Sequence, residues 1–212
     1  MVIHDFYQYS QNLHIASNCW FNKENLSWDM GIYGAILIGN YIFNGKLRLS
    51  TKGMDHIENR ERDLAEQFIL YTNRNIFLTG RAGTGKTTLL QDILSKTNKK
   101  SIVVAPTGVA AINAGGMTIH SMFQLPTKSF LPSNEYTDRE EFMNRNELVS
   151  VQKIRKERRR LLQELELLVI DEISMVRADL LDAVDFTLRR LRKNQSPFGG
   201  VQLLVIGDLF QL

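Results

Sequence analysis

Short runs of apolar residues alternate with amphipathic segments along most of the chain. Four of these runs have the length and the β-branched content of strands that are buried on both faces of a sheet, namely 76–79, 102–105, 167–170 and 201–206. Between them, leucine and isoleucine recur at helical spacing, most clearly in 87–97 and 176–193. This alternation predicts an α/β fold, with a mainly parallel sheet that is covered by helices on both faces.

Two other helices are predicted from weaker patterns. One covers 54–71 and precedes the first strand, and the other covers 144–166. The apolar side of the second helix is predicted to consist of Leu148, Val151, Ile154, Leu161, Leu162 and Leu165. The same helix carries the run 153–160, in which six of eight residues are basic, and both a solvated helix face and a phosphate-contacting patch account for such a run. The proline-containing stretch 126–138 is predicted to be a surface insertion.

Residues 1–53 differ from the rest of the chain. They contain both tryptophans and the single cysteine, and they show no sustained helical period, although 32–43 is compatible with one or two short strands. We therefore predict an N-terminal extension of unknown role over 1–53 and a main domain over 54–212. An extension that packs on the sheet of the main domain is the alternative.

Composition restricts the class of protein. The chain is 43% hydrophobic and 23% charged, which is ordinary for a globular domain, and its net charge of +3 permits nucleic-acid binding without requiring it. A single cysteine, Cys19, excludes an intramolecular disulfide framework. No lysine or arginine precedes Lys23, and the apolar run 31–43 is too short to cross a bilayer. We expect a soluble, cytoplasmic protein that does not enter a membrane.

The first strand leads into a loop, 80–88, with the spacing G-x-x-x-x-G-K-T of a phosphate-binding loop. Its glycines allow a close approach of backbone N–H groups to phosphate oxygens, and the helix that follows points its positive end at the same anion. Lys86 is predicted to reach the β- and γ-phosphates of ATP, and the Thr87 hydroxyl to ligate Mg²⁺. The predicted nucleotide-binding residues are Gly80, Ala82, Gly83, Thr84, Gly85, Lys86, Thr87 and Thr88. A glycine-rich turn without a ligand is the competing interpretation, but it does not account for the lysine and threonine.

Two carboxylates, Asp171 and Glu172, directly follow the strand 167–170. Ligands of open α/β sheets bind at the carboxyl ends of the strands, so we expect both carboxylates to lie beside the loop. Asp171 is predicted to hold Mg²⁺ directly or through a bound water, and Glu172 to polarise the attacking water as a general base. Gln211 follows the last strand, and its amide can donate to the γ-phosphate or to water. Lys86, Glu172 and Gln211 are the predicted catalytic residues.

The sequence resembles the Pif-one/RecD-like branch of superfamily-one DNA helicases. The resemblance covers about residues 56–212 and rests on four blocks in the same order and spacing, at 80–88, 105–123, 169–175 and 207–212. It implies the first of two RecA-like motor domains of the P-loop NTPase class. It also implies an ATPase that moves 5′ to 3′ on single-stranded DNA and serves DNA repair, recombination or genome maintenance.

By that resemblance, the block 106–123 faces the DNA strand. The candidate DNA contacts are Thr107, Asn113, His120 and Phe123. Hydroxyl and amide groups grip phosphates and an aromatic ring can stack on a base, although core packing is the alternative for His120 and Phe123. Gln67 is the candidate for the glutamine that reads adenine in this family. The second RecA-like domain, with its arginine fingers, is expected to lie outside these 212 residues.

Two other functions fit part of the pattern. One is a nucleotide-dependent DNA-binding module without motor activity, and the other is an AAA-type ATPase that acts on proteins. The motif that contains Gln211 and the block 106–123 favour the helicase, because neither occurs in AAA-type ATPases. The sequence leaves the oligomeric state open.

Overall fold

The computed structural model describes residues 2–5, 60–81, 83–135 and 140–208. The predicted strands within 32–43, the start of the predicted helix at 54–59, Ala82 and Gln211 lie outside the described residues. Within the described part, no helix is long and apolar enough to cross a membrane.

Eight strands and seven α-helices follow one another along the described chain. The strands are β1 (Val2–Asp5), β2 (Ile76–Thr79), β3 (Ser101–Ala105), β4 (Met117–Thr118), β5 (Ser129–Phe130), β6 (Phe142–Met143), β7 (Leu167–Ile170) and β8 (Gln202–Gly207). The helices are α1 (Arg60–Tyr71), α2 (Lys86–Lys96), α3 (Gly108–Asn113), α4 (Ile119–Phe123), α5 (Arg145–Val151), α6 (Lys156–Glu164) and α7 (Ala178–Arg192). Two short 3₁₀ turns cover Ile173–Met175 and Pro197–Gly200.

Six strands form one sheet in the order β1-β2-β8-β7-β3-β4. From β2 to β4 in this order each pair of neighbouring strands is parallel, whereas the edge strand β1 runs antiparallel to β2. Thr79 is in register with Gly207, and Ile170 with Val205. This sheet confirms the predicted α/β fold with a mainly parallel sheet.

Apolar side chains cover the sheet on both faces, because successive strand residues point to opposite sides. Leu167 and Val169 belong to the core on one face, and Leu168 and Ile170 to the core on the other. The helices α1 and α2 pack on the first face through Ala65, Ile69, Leu89, Leu90 and Ile93. The helices α4 to α7 pack on the second face through residues that include Phe123, Leu148, Leu162, Val184 and Leu188. The prediction that these strands are buried on both faces is therefore confirmed.

The single helix predicted over 144–166 is wrong, because the structure has α5 and α6 with a break at 152–155. The buried side-chain amide of Gln152 donates to the carbonyl of Phe123 at 2.6 Å and to the hydroxyl of Thr187 at 3.1 Å, and it accepts from Arg190. These partners hold Gln152 at the C-cap position, where α5 ends. Of the predicted apolar side, Leu148, Ile154, Leu162 and Leu165 are buried, whereas Val151 and Leu161 are 52% and 57% exposed.

The stretch predicted as a surface insertion contributes to the core. Phe130 in β5 is 3% exposed, its ring stacks on Phe186 with centroids 5.8 Å apart, and its N–H donates to the carboxylate of Asp179. The strand β5 also pairs with β6 in a small parallel ribbon. The prolines and polar residues around Phe130 gave no indication in the sequence that this ring is buried. The predicted insertion is therefore only partly a surface segment.

The strand β1 pairs with β2 along its whole length, with Val2 opposite Thr79 and Asp5 opposite Ile76. Part of the N-terminal segment therefore lies beside the strand that leads into the glycine-rich loop. The boundary at residue 54 and the role of 1–53 stay predictions.

Replacing Gln152 with alanine should lower the free energy of unfolding by about 1–3 kcal/mol, because the Phe123 carbonyl and the Arg190 guanidinium lose their partner. Urea unfolding of the Gln152→Ala variant measures this loss. Gln91→Ala on the exposed side of α2 is the control and should change stability by no more than about 0.5 kcal/mol. Equal stability of the two variants would show that the buried amide does not fix the break between α5 and α6.

Candidate nucleotide site and DNA-facing block

The glycine-rich loop joins β2 to α2 in a conformation that two of its glycines require. Gly83 and Gly85 have φ angles of 79° and 83°, in the left-handed region that favours glycine. A Cβ atom at either position would meet nothing within 4 Å, so the backbone angle and not the available space demands glycine there. The loop is tightened by Thr84, whose hydroxyl donates to the carbonyl of Arg81 at 2.9 Å.

The first turn of α2 is suited to an anion. Gly85 caps the helix without a side-chain hydrogen bond, and no acidic residue lies in the first turn. The first N–H groups of a helix have no partner within the helix and carry its positive end. A phosphate group at this position would therefore gain both hydrogen bonds and a favourable field.

Lys86 folds back over the loop. Its Nζ donates to the carbonyl of Gly80 at 2.6 Å and to the carbonyl of Arg81 at 3.1 Å. Thr87 and Thr88, which follow on α2, are exposed. The ammonium group is thus held at the loop, where it can exchange carbonyl oxygens for phosphate oxygens.

Asp171 lies at the carboxyl end of β7, close enough to Lys86 for the two charges to interact. Its own N–H donates to the carbonyl of Val104 at 2.9 Å, and its carboxylate accepts from the N–H of Glu172 at 3.0 Å. Burial raises the pKa of Asp171, while the hydrogen bond from Glu172 and the charge of Lys86 act in the opposite direction. The structure therefore brings together the lysine and the aspartate that the sequence assigned to phosphate and Mg²⁺.

The backbone after Asp171 is strained and tightly packed. Glu172 has a φ angle of 53°, which costs a residue with a side chain about 1–3 kcal/mol and is typical of functional sites. The 3₁₀ turn that follows presses on β8, because a Cβ at Gly207 would lie 2.7 Å from Cγ2 of Ile173. Glycine at the end of β8 thus allows the turn that follows Glu172 to pack closely against β8.

Asp208 is a residue of this edge to which the sequence assigned no role. It directly follows β8 and is 5% exposed, and β8 lies between the loop strand β2 and the carboxylate strand β7. The signal for it was an acidic residue directly after an apolar strand, the same signal that identified Asp171. Gln67, the candidate adenine reader, is exposed on α1. The predicted roles of Glu172 and Gln211 stay predictions.

The segment 106–123, which the family resemblance predicts to face DNA and which we call the DNA-facing block, runs from the end of β3 to the end of α4. Its candidate residues differ in accessibility. Thr107 caps α3 by accepting from the N–H of Ala110 at 3.2 Å, and Asn113 is exposed at the other end of that helix. Val109 and Ile112 on α3 are 72% and 79% exposed, which is unusual for large apolar side chains. The helix α3 therefore presents apolar and amide groups to the surroundings.

His120 and Phe123 have different environments on α4. His120 is half-buried and lines a cleft of about 230 Å³ with Leu125, Pro126, Lys128 and other residues. Phe123 is fully buried in the core. The assignment of Phe123 to base stacking is corrected, because its ring packs inside the domain and presents no face to a base.

Comparisons with known proteins agree with this architecture. The PIF1-like helicase family model matches residues 61–212. The ATP-dependent DNA helicase Pif1 of Psychrobacter sp. (strain PRwf-1) is 42% identical over 147 residues, which make up 68% of this chain and 20% of that protein. A crystal structure of Bacteroides Pif1 bound to ssDNA shares 43% identity at a TM-score of 0.62, over 74% of this chain and 33% of that chain. A crystal structure of Bacteroides sp Pif1 in complex with ADP-AlF4 shares 42% identity at a TM-score of 0.62, over 74% of this chain and 34% of that chain.

This chain therefore spans about a fifth of the Psychrobacter relative and about a third of the solved Bacteroides chains. The likeness to structures above 40% identity confirms the predicted RecA-like fold. The family match begins at residue 61, close to the start at residue 56 that the motifs indicated.

Replacing Gly207 with alanine should lower the free energy of unfolding by about 1–3 kcal/mol, because the added methyl group overlaps the side chain of Ile173. Thermal or urea unfolding measures the loss. The matched control is Gly108→Ala at the start of α3, where an added Cβ meets nothing within 4 Å. A Gly207→Ala variant as stable as Gly108→Ala would contradict the close packing of β8 on the 3₁₀ turn.

The Asp171→Asn variant should be more stable than the parent protein at about pH 7, and this gain should shrink toward about pH 4. Burial raises the pKa of Asp171, so its contribution to stability is present at acid pH and is lost as the pH rises through the raised value. Urea unfolding across this pH range, without nucleotide or metal, measures the difference. Asp63→Asn on the exposed part of α1 is the control, and the same pH dependence in both variants would contradict the prediction.

Proposed function

The chain belongs to the PIF1-like helicase family, and from this premise we propose that it is the ATP-binding motor domain of a DNA helicase. One observation carries the proposal: Lys86 of the loop and Asp171 at the end of β7 lie close enough for their charges to interact. A lysine at the phosphates and an aspartate at the metal are the two groups that nucleotide-driven motors of the P-loop class place side by side.

The residues at this edge fit a complex of ATP and Mg²⁺. Lys86 and the N–H groups at the start of α2 would hold the phosphates, and the exposed hydroxyl of Thr87 with the carboxylate of Asp171 would hold the metal ion. Burial disfavours the charge on Asp171, and a bound cation would compensate for that cost. When bound, Mg²⁺ supplies positive charge to the β- and γ-phosphate oxygens.

The proposed chemistry is hydrolysis of the γ-phosphate by water. Glu172 would orient and polarise the attacking water as the general base, and the strained backbone at φ 53° fixes the direction in which its side chain leaves the strand. Gln211 would donate to the γ-phosphate or the water and lose that bond after hydrolysis, so its contacts would follow the state of the nucleotide.

The proposed substrate is single-stranded DNA, on which the whole protein would move 5′ to 3′ in DNA repair, recombination or genome maintenance. The exposed side chains of α3, above all Asn113, Val109 and Ile112, support a strand-binding role, because they offer a hydrogen-bonding amide and apolar surface for bases. A Bacteroides relative has been crystallised with ssDNA. Closure on the nucleotide and alternation of grip would require the second RecA-like domain that the family resemblance implies.

The Lys86→Ala variant should lose most of its affinity for a non-hydrolysable ATP analogue, because the loop loses its ammonium group. Titration calorimetry on residues 1–212 measures the affinity. Lys96→Ala is the matched control at the other end of α2, where the lysine pairs with Glu66 at 2.6 Å. Lys96→Ala should bind as the parent does, and an unchanged affinity in Lys86→Ala would refute the site.

The chain of 212 residues should bind ATP yet hydrolyse it barely, with no substantial stimulation by single-stranded DNA. An arginine finger in trans supplies a factor on the order of 10³ to 10⁵ in rate, and the family resemblance places that arginine in the second domain. A coupled ATPase assay with and without oligonucleotide measures turnover. Robust DNA-stimulated turnover that disappears in Glu172→Gln would show instead that the chain completes its own site.

A further inference from the structure

The basic run found in the sequence forms an exposed surface at the start of α6. Lys153, Arg155, Lys156 and Arg159 are all exposed. Among the described residues, none of these four side chains forms an ion pair, whereas Arg160 pairs with Glu164 at 2.8 Å. We call these four residues the α6 basic surface.

Two partly buried arginines extend this positive charge toward α5 and α7. The guanidinium groups of Arg145 and Arg190 lie 5.7 and 5.9 Å from the centroid of the Phe186 ring. Their Nε atoms are buried and have no hydrogen-bond partner among the described residues. Burial lowers the pKa of Arg190, and the charge of Arg159 lowers it further, so Arg190 lies within electrostatic reach of the α6 basic surface.

Glu157 is the single carboxylate among the six cations of the run 153–160, and three further carboxylates nearby are committed to other contacts. Glu164 is held by Lys100 and Arg160, and Asp185 by Arg189 at 2.7 Å. Glu147 accepts from the N–H of Asn144 in the capping box of α5. The positive charges around Arg159 and Arg190 are therefore not neutralised by these groups, and they repel one another in the folded protein. An anionic ligand would remove that cost.

The α6 basic surface adjoins the DNA-facing block. Arg158 of α6 donates from Nη1 to the carbonyl of Ser121 on α4 at 2.5 Å, and Ser121 is the residue after His120. The helices α4 and α6 also share one core on the same face of the sheet. A nucleic acid that reaches α4 would therefore have these cations within reach.

The chemistry of this surface favours duplex over single-stranded DNA. The four side chains of the α6 basic surface are cations suited to phosphates, whereas the bases of a single strand require apolar and amide groups such as those that α3 exposes. A duplex presents its phosphates at higher density than a single strand and rewards a cluster of arginine and lysine without stacking. On this basis we propose that the α6 basic surface binds the phosphate backbone of double-stranded DNA. The proposal rests on the proposed DNA helicase function and assigns a second, separate DNA contact to it.

The test compares two variants of residues 1–212 that remove the same charge. The α6 variant, Arg155→Gln with Arg159→Gln, removes two cations that lie one turn apart on the α6 basic surface. The control variant, Arg62→Gln with Lys96→Gln, removes two cations from α1 and α2 on the opposite face of the sheet. Fluorescence anisotropy with a labelled hairpin duplex and a labelled oligothymidine strand, over a series of salt concentrations, measures affinity and salt slope. Circular dichroism verifies that both variants are folded.

The α6 variant should bind the duplex about tenfold more weakly at low salt, and the slope of log affinity against log salt should fall by about 2, since each lost phosphate contact contributes about 0.9. Its affinity for the oligothymidine strand should stay within about twofold of the parent, and the control variant should match the parent on both ligands. An Arg155→Lys, Arg159→Lys variant keeps the charges and should retain most of the duplex affinity.

Duplex affinity and salt slope equal to those of the control variant would overturn the proposal. An equal loss of affinity for the oligothymidine strand would overturn it as well. Nucleotide affinity is measured on the same samples. If the protein binds nucleotide through Lys86 but the α6 variant binds the duplex as the parent does, only the role of the α6 basic surface is refuted. If the parent protein does not bind nucleotide, the proposed function is refuted.

Discussion

The candidate site depends on one constraint, the parallel register of β2, β8 and β7. Because Thr79 is paired with Gly207 and Ile170 with Val205, the chain leaves all three strands at the same edge of the sheet. These strands are buried on both faces, so a shift in register would move apolar side chains between the two cores. The positions of Lys86 and Asp171 are therefore set by the hydrophobic core and not by the flexible parts of the site. A loop of glycines can keep a defined shape when its two ends are fixed in this way.

Local chemistry explains how much of the site could be predicted. The glycine-rich loop needs positive φ angles at two positions and a lysine at the start of the helix. Residues within one short stretch of sequence satisfy these requirements, so the loop could be predicted. The strands could be predicted from their apolar, β-branched composition. The rule that ligands bind at the carboxyl ends of strands then placed Asp171 next to the loop. The left-handed angle of Glu172 and the contact of Gly207 with Ile173 could not be predicted, because they arise where the 3₁₀ turn meets β8, a strand that is distant in the sequence.

The errors have the same origin in long-range contacts. The break between α5 and α6 is fixed by Gln152, whose partners Phe123 and Thr187 lie 29 and 35 residues away. No periodicity of the segment itself reports such partners, and the residues around Gln152 have adequate helical propensity. The prediction for Phe123 was wrong for a related reason. The sequence does not distinguish an aromatic residue that points outward to DNA from one that points into the core. Its burial follows from the packing of α4 against α5 and α7, which only the fold determines.

The contact between Gly207 and Ile173 has a mechanical consequence. Packed protein interiors have low compressibility, and at this point the 3₁₀ turn and the end of β8 touch with no room for a single added carbon. A displacement of the turn toward β8 must then be passed to the end of β8, because the two surfaces cannot approach further. A movement of the turn toward β8 would therefore reach Gly207 through direct contact. The glycine thus couples two segments that are more than thirty residues apart in the sequence.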